Sequence, residues 1–209
     1  DQLEAPRVSL DVETDGIDVY GDSMPVGISI ADSDKEFYFP FGHFEGRQHS
    51  AAAVRGWMME HLEGKEIIFR NAKFDIEMLR KWGLDLESLG CQPREIQHAA
   101  ALLDDRRRTF SLEALAKDRL GTGKMELPPG RIVELSAHIV APYARRDSRL
   151  TYALDAAYEP LIQAEDLSKV LQLENDLIYA TLSMEREGAW LDVPTLERWI
   201  KEVEEARVA

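Results

Sequence analysis

The sequence predicts an α/β fold: a mixed β-sheet flanked by helices, followed by a C-terminal helical extension. The run Arg7-Val8-Ser9-Leu10-Asp11-Val12-Glu13 alternates apolar and polar residues with the period of two that marks a strand. Two more strand-like runs follow across short connections. Apolar spacing then changes to the helical period, giving the order βββαβα and then helices.

The elements read in order as follows. After the first strand, Thr14 to Ser23 is rich in turn formers. Met24 to Ala31 and Glu36 to Phe41 read as strands joined by Asp32-Ser33-Asp34-Lys35, so the first three strands form an antiparallel meander. A helix is expected from about Ser50, carrying Val54, Trp57, Met58 and Leu62 on one side and stopping near Gly64. Lys65 to Arg70 is a short buried-type strand, and Ala72 to Trp82 is helical in period. Arg94 to Asp105 and Ser111 to Leu120 read as two helices, with Ser111 as N-cap and Gly121 as a stop. Gly121 to Gly130, with Pro128-Pro129, reads as a loop. A long helix is expected from about Pro142, a residue suited to a first helical turn, towards Leu161. Two helical segments, Leu167 to Gly188 and Asp192 to Ala209, complete the chain.

At 209 residues, 44% hydrophobic and 31% charged, the chain has the composition of a soluble globular protein with a core. No apolar run is long enough to span a membrane, and no signal-peptide pattern opens the chain. Cys91 is the single cysteine, which excludes an internal disulfide and suits a reducing, intracellular setting. The chain opens on Asp1 rather than Met, so it reads as a processed piece or an expression fragment. Its net charge of −14 argues against broad electrostatic attraction to nucleic acid. A metal-dependent phosphodiesterase escapes that objection, because its ions supply positive charge where the phosphate lands.

Candidate chemistry centres on carboxylates. Asp11 and Glu13 share one face of the first strand, where two close acids repel and need a counter-ion. No Lys or Arg beyond Arg7 is near in sequence, which favours a divalent metal. Asp75 lies with Ala72, Leu79 and Trp82 on the inward stripe of its helix. Its alternative is a first-turn acid favoured by the helix dipole. Tyr143, Asp147, Leu150, Leu154, Ala157 and Leu161 form one helical stripe, so Asp147 points where the leucines point. Each acid alone is as readily structural as functional; four of them, inward-facing on three elements, point to a site.

In this order, Asp11-x-Glu13, Asn71-x-x-Phe74-Asp75 and Tyr143-x-x-x-Asp147 resemble the three exonuclease motifs of the DEDD superfamily. The resemblance is greatest to the 3′–5′ proofreading domain of family A (polymerase I-like) DNA polymerases, and it covers residues 7 to 160. It implies a ribonuclease H-like fold with the acids gathered at the ends of the sheet. The histidine branch has His five residues before the last Asp; here that residue is Pro142, which leaves the tyrosine branch. Beyond the domain, Leu173-Glu174, Leu177, Met184-Glu185-x-x-Gly188 and Leu191-Asp192-x-x-x-Leu196 resemble the opening of the polymerase domain. The expected division is therefore an exonuclease domain over 1–165 and a truncated polymerase start over 166–209.

The resemblance implies a catalytic set of Asp11, Glu13, Asp75, Tyr143 and Asp147. Hard oxygen ligands select two Mg²⁺ or Mn²⁺ ions, with Zn²⁺ an alternative. Two ions about 4 Å apart serve both ends of an in-line displacement at phosphorus. By resemblance, Asp11, Glu13 and Asp147 hold one ion, Asp11 and Asp75 hold the other, and Tyr143 orients the attacking water. Ile17 matches an apolar wedge against the terminal base, and Asn71 matches a residue that holds the terminal nucleotide. The implied partners are a single-stranded or frayed 3′ end of DNA and the polymerase domain of the same parent protein, in a monomer without membrane contact. The implied setting is the cytoplasm of a bacterial or phage-infected cell.

Some positions depart from the family pattern. Gln97-His98 stands where many relatives have Asp-Thr, Arg70 where Gln is common, and Arg146 where Glu is common. Arg106-Arg107-Arg108 follows Asp104-Asp105 and reads as a solvated, locally paired face. Gly121-Thr122-Gly123-Lys124 lacks phosphate-loop spacing, with Met125 in place of Ser or Thr, and reads as an ordinary loop. His43, His49, His61, His98 and His138 show no metal-ligand spacing. Two other readings stay open: an RNA-processing exonuclease of the same branch, and an inactive structural module of a polymerase.

Overall fold

A computed structural model describes residues 3–128 and 130–208. Pro129 of the expected loop and Ala209 of the expected last helix lie outside the described residues. The strands are β1 (Arg7–Thr14), β2 (Pro25–Ala31), β3 (Glu36–Pro40), β4 (Glu66–Phe69) and β5 (Gln92–Glu95). The helices are α1 (Ala51–Leu62), α2 (Ala72–Lys81), α3 (Ile96–Leu103), α4 (Leu112–Leu120), α5 (Ala137–Ala164), α6 (Ser168–Glu187) and α7 (Val193–Val208). A short 3₁₀ turn, Ile132–Glu134, precedes α5.

The five strands form one sheet in the order β3-β2-β1-β4-β5. The first three are the antiparallel meander expected from the sequence, while β4 and β5 run parallel to β1. This is the mixed, ribonuclease H-like sheet, with a helical C-terminal extension. All seven residues of β2 are buried, because it lies inside the sheet with helices over it. On β1 the even residues Val8, Leu10 and Val12 face the core shared with α1 and α2, which includes Met58, Met78 and Leu79. The odd residues Ser9, Asp11 and Glu13 face α5, and Ser9 Oγ donates to the Ser148 carbonyl at 2.7 Å. A second core gathers Ile68, Ile96, Leu115, Leu150, Leu154 and Tyr158 between the sheet, α3, α4 and α5. Asp155 of α5 accepts from Arg94 of β5 at 2.9 Å and from Arg7 of β1 at 3.3 Å, fixing the long helix across the strands.

Two elements differ from the sequence expectation. Gln92-Pro93-Arg94-Glu95 is an edge strand rather than a loop and helix start; Pro suits an edge, where one side of the ladder is empty. The long helix starts at Ala137, so Pro142 lies within it rather than in its first turn. Burial of Ala137, Val140 and Ala144 holds this early stretch helical despite the amide that proline removes. Helix α6 also joins the body: Ile178 and Leu182 enter the first core, and Leu171 the second.

Candidate active site

The parallel pairing of β1 with β4 ends at Ser9, and β1 continues beyond it with only β2 as a partner. The crevice so opened lies at the carboxyl ends of β1 and β4, where open α/β sheets place their ligands. Asp11 and Glu13 stand on this free stretch. The Val12 amide, which has no strand partner on the β4 side, instead donates to Asp75 Oδ1 at 3.0 Å. Asp75 is thereby drawn to β1 from the first turn of α2.

The start of α2 is set by Asn71, which adopts a left-handed conformation with φ 83° and ψ 51°. Glu95 Oε2 accepts from the amides of Asn71 at 2.7 Å and Ala72 at 2.6 Å, and Glu95 Oε1 accepts from Gln97 at 2.9 Å. The Glu95 amide in turn donates to Asn175 Oδ1 of α6 at 3.1 Å. Glu95 thus caps two helices at once and fixes where Asp75 sits. Beside it lies a cavity of about 240 Å³ lined by Asn71, Lys73, Gln97 and His98, with Glu174 and Leu177 from α6.

Asp147 reaches the crevice from α5, on the side of the sheet faced by Asp11 and Glu13. Asp11, Glu13, Asp75, Asp147, Tyr143 and Asn71 line one cleft of about 130 Å³, together with Arg70, Phe74 and Lys124. Glu13, Asp75 and Asp147 are buried, at 6%, 3% and 2% exposure. Ile17 is not part of this lining; it stands 88% exposed on the loop after β1. Arg131 bridges towards that loop by donating to the Asp15 carbonyl.

Mutual proximity and burial disfavour the charged acids. Burial, then repulsion from Asp147, pushes the Asp11 carboxyl up to about 6, although Lys124 and Arg70 pull it back. Burial and Asp11 raise Glu13 and Asp75 well above the usual carboxylate range. Burial also raises Asp147, against the opposing pull of Lys124. Tyr143 is pushed up to about 12, first by burial and then by Asp147. Its phenol therefore keeps its proton at neutral pH.

Three features of the site lie outside the sequence motifs. Lys124 Nζ lies 2.5 Å from Asp147 Oδ2 and 2.8 Å from the Tyr143 hydroxyl, so a cation distant in sequence meets the acids. Arg146 holds the lysine's loop by donating to Thr122 Oγ1 at 2.5 Å and to the Gly123 carbonyl at 3.3 Å. Tyr38 flanks Glu13 by crossing over Gly27, the cross-strand neighbour of that acid, and bonds to His43 Nε2 at 2.5 Å. His43 Nδ1 lies 3.1 Å from the Leu135 carbonyl, the arrangement of a structural histidine.

A Cβ on Gly27 would lie 2.1 Å from the Tyr38 hydroxyl. Gly27→Ala is therefore expected to cost about 1–3 kcal/mol of stability by overpacking. Urea unfolding checks this, and an unchanged midpoint would show that Tyr38 moves freely.

An all-oxygen donor set suits a hard divalent cation. The residues fit such an ion on a further observation: Asp147 Oδ1 is buried with no hydrogen-bond partner. Among the described residues, no three Asp, Glu, His or Cys side chains already stand in ion-binding geometry. Asp147 is turned onto Lys124, and Asp75 onto the Val12 amide.

The crevice thus brings acids of β1, α2 and α5 together with a tyrosine at the carboxyl ends of β1 and β4. Residues 1–163 match the family model described as 3′–5′ exonuclease, the exonuclease domain of family A DNA polymerases, and the chain belongs to that family. It is similar to the DNA polymerase DpoZ of Acinetobacter phage SH-Ab 15497, with 30% identity over 220 residues, 95% of this chain and 34% of that protein. DpoZ of Salmonella phage PMBT28 is 28% identical over 205 residues, 89% of this chain and 31% of that protein. The chain thus spans about a third of the length of these curated relatives. In fold it is similar to Brucella melitensis NrnC, with TM-score 0.71 and 14% identity over 90% of this chain and 88% of that one. NrnC has also been solved with bound Mg²⁺. The POL domain of Pol1 from M. smegmatis, solved with DNA primer-template and dNTP, gives TM-score 0.71 and 19% identity over 95% of this chain and 32% of that one.

Proposed function

We propose that the chain is the proofreading 3′–5′ exonuclease of a DNA polymerase, releasing nucleoside monophosphates from a single-stranded or frayed DNA 3′ end. The observation that carries this reading is the convergence of four acids from β1, α2 and α5 on one cleft beside a tyrosine. Asp11, Glu13 and Asp147 would hold one divalent ion, Mg²⁺ or Mn²⁺, and Asp11 with Asp75 would hold the second. When bound, such ions supply Lewis-acid stabilisation at phosphorus and a more acidic water. Tyr143 donates its hydroxyl to the attacking water and orients it, since its raised pKa unsuits it to act as a base. Attack forms a new O–P bond as the bond from phosphorus to the 3′ oxygen breaks, giving a 5′-monophosphate and a new 3′-hydroxyl. Ile17, exposed on the loop after β1, would wedge against the terminal base, and Asn71 would hold the terminal nucleotide.

Residues 166–209 are read as the start of the polymerase domain. Trp190, Leu191, Trp199, Ile200 and Val203 are all about half exposed or more, an apolar face that the polymerase body would cover. Similarity to the Acinetobacter phage polymerase extends over 95% of the chain, past the end of the exonuclease match at residue 163. Among the described residues no helix is long and apolar enough to cross a membrane.

The substrate is tested by digesting 3′-labelled single-stranded DNA and RNA of one sequence side by side with Mn²⁺. The proposal expects faster mononucleotide release from DNA, and faster release from RNA would make this an RNA-processing enzyme.

A further inference from the structure

We infer that Lys124 is the internal counter-ion of the acid cluster, a positioning residue whose charge competes with a divalent ion for Asp147. The inference rests on Asp147 being an ion ligand, and it assigns a role to a loop that the exonuclease motifs do not include.

The geometry is that of a built contact. The ammonium bonds Asp147 Oδ2 at 2.5 Å, donates to the Tyr143 hydroxyl at 2.8 Å and lies 4.8 Å from the centre of the Tyr143 ring. It therefore touches both functional groups that α5 contributes. The loop that presents it is held from two sides. Arg146, the neighbour of Asp147, grips Thr122 and Gly123, while Glu113 of α4 accepts from the Lys124 amide at 2.6 Å. Gly123 sits close under the Glu113 carboxylate, which a Cβ there would approach to 2.7 Å. The Lys124 side chain is 24% exposed, so its head can leave the cleft while its backbone stays pinned.

An ammonium and a divalent cation on one carboxylate repel each other, so each weakens the other's hold. Asp147 Oδ2 is committed to Lys124 while Oδ1 is buried and bare. Among the described residues, no three acids stand in ion-binding geometry. A divalent ion held by Asp147 would weaken the lysine's hold there, and a lysine drawn away would leave the Tyr143 hydroxyl without that donor.

The test is Mn²⁺ binding by calorimetry to the full chain and to Lys124→Met and Lys124→Gln, with melting temperatures in EDTA and in saturating Mn²⁺. With the competitor removed, Mn²⁺ is expected to bind about tenfold tighter or more, the worth of one hydrogen bond between charged groups. Both variants are expected to melt below the parent in EDTA and to approach it in Mn²⁺. Equal or weaker Mn²⁺ binding by whichever variant folds overturns the inference while leaving the metal reading intact. Absence of Mn²⁺ binding in parent and variants alike removes Asp147 as a ligand, and the inference with it.

Discussion

Asp11→Asn is expected to lower mononucleotide release from a DNA 3′ end by at least about 10³-fold, the scale of losing an electrostatic stabiliser of the transition state. It is also expected to raise the melting temperature in EDTA. The two effects have one cause. Asp11 is the acid proposed to serve both ions, and without ions it is a carboxylate crowded by Asp147 and removed from water. Asparagine keeps the shape and abolishes the charge, so it removes the chemistry and relieves the repulsion together. A variant that loses activity by misfolding would melt lower instead, which separates the explanations. Measuring rate and melting on one preparation checks both.

The second large effect is on stability against pH in the metal-free protein. Asp11 titrates near 6 when folded, above its ordinary value, and Glu13, Asp75 and Asp147 are raised too. A carboxyl raised by folding favours the native state while it is protonated, and that advantage is lost as pH rises through the folded value. The Asp11 shift alone corresponds to on the order of 3 kcal/mol, lost between about pH 4 and a little above pH 6. In EDTA the protein is therefore expected to be more stable at pH 5 than at pH 7.5, and saturating Mn²⁺ is expected to reverse much of the loss. Urea unfolding at the two pH values, with and without Mn²⁺, checks it. Greater stability at pH 7.5 in EDTA would mean that the acids are already neutralised within the protein.

The faces of the elements were legible where one face is buried and a simple period governs the residues. Alternation along β1 puts Asp11 and Glu13 opposite the core residues Val8, Leu10 and Val12, and the α5 stripe places Asp147 beside Leu150 and Leu154. Towards its end the stripe drifts by a residue, burying Tyr158 and Ile162 where even spacing favoured Ala157 and Leu161. β5 escaped notice because four residues containing Pro93, Arg94 and Glu95 carry no strand period and are strand only through pairing with β4. The start of α5 was hidden because Pro142 resembles a helix beginning, while burial of Ala137 and Val140 decides otherwise. Glu95 and Lys124 could not be found by pattern. Each acts on residues more than fifteen positions away through a single side chain, and only the folded topology brings them there.

The central claim is that these acids use divalent ions to shorten DNA from its 3′ end. Its most direct test is a Mn²⁺ titration of the digestion of single-stranded DNA labelled at the 3′-terminal nucleotide. The label should leave as a 5′-mononucleotide, only when Mn²⁺ is present, while the remaining strand shortens one nucleotide at a time. Label release undiminished by EDTA, or no release from folded protein at any Mn²⁺ concentration, would contradict the claim.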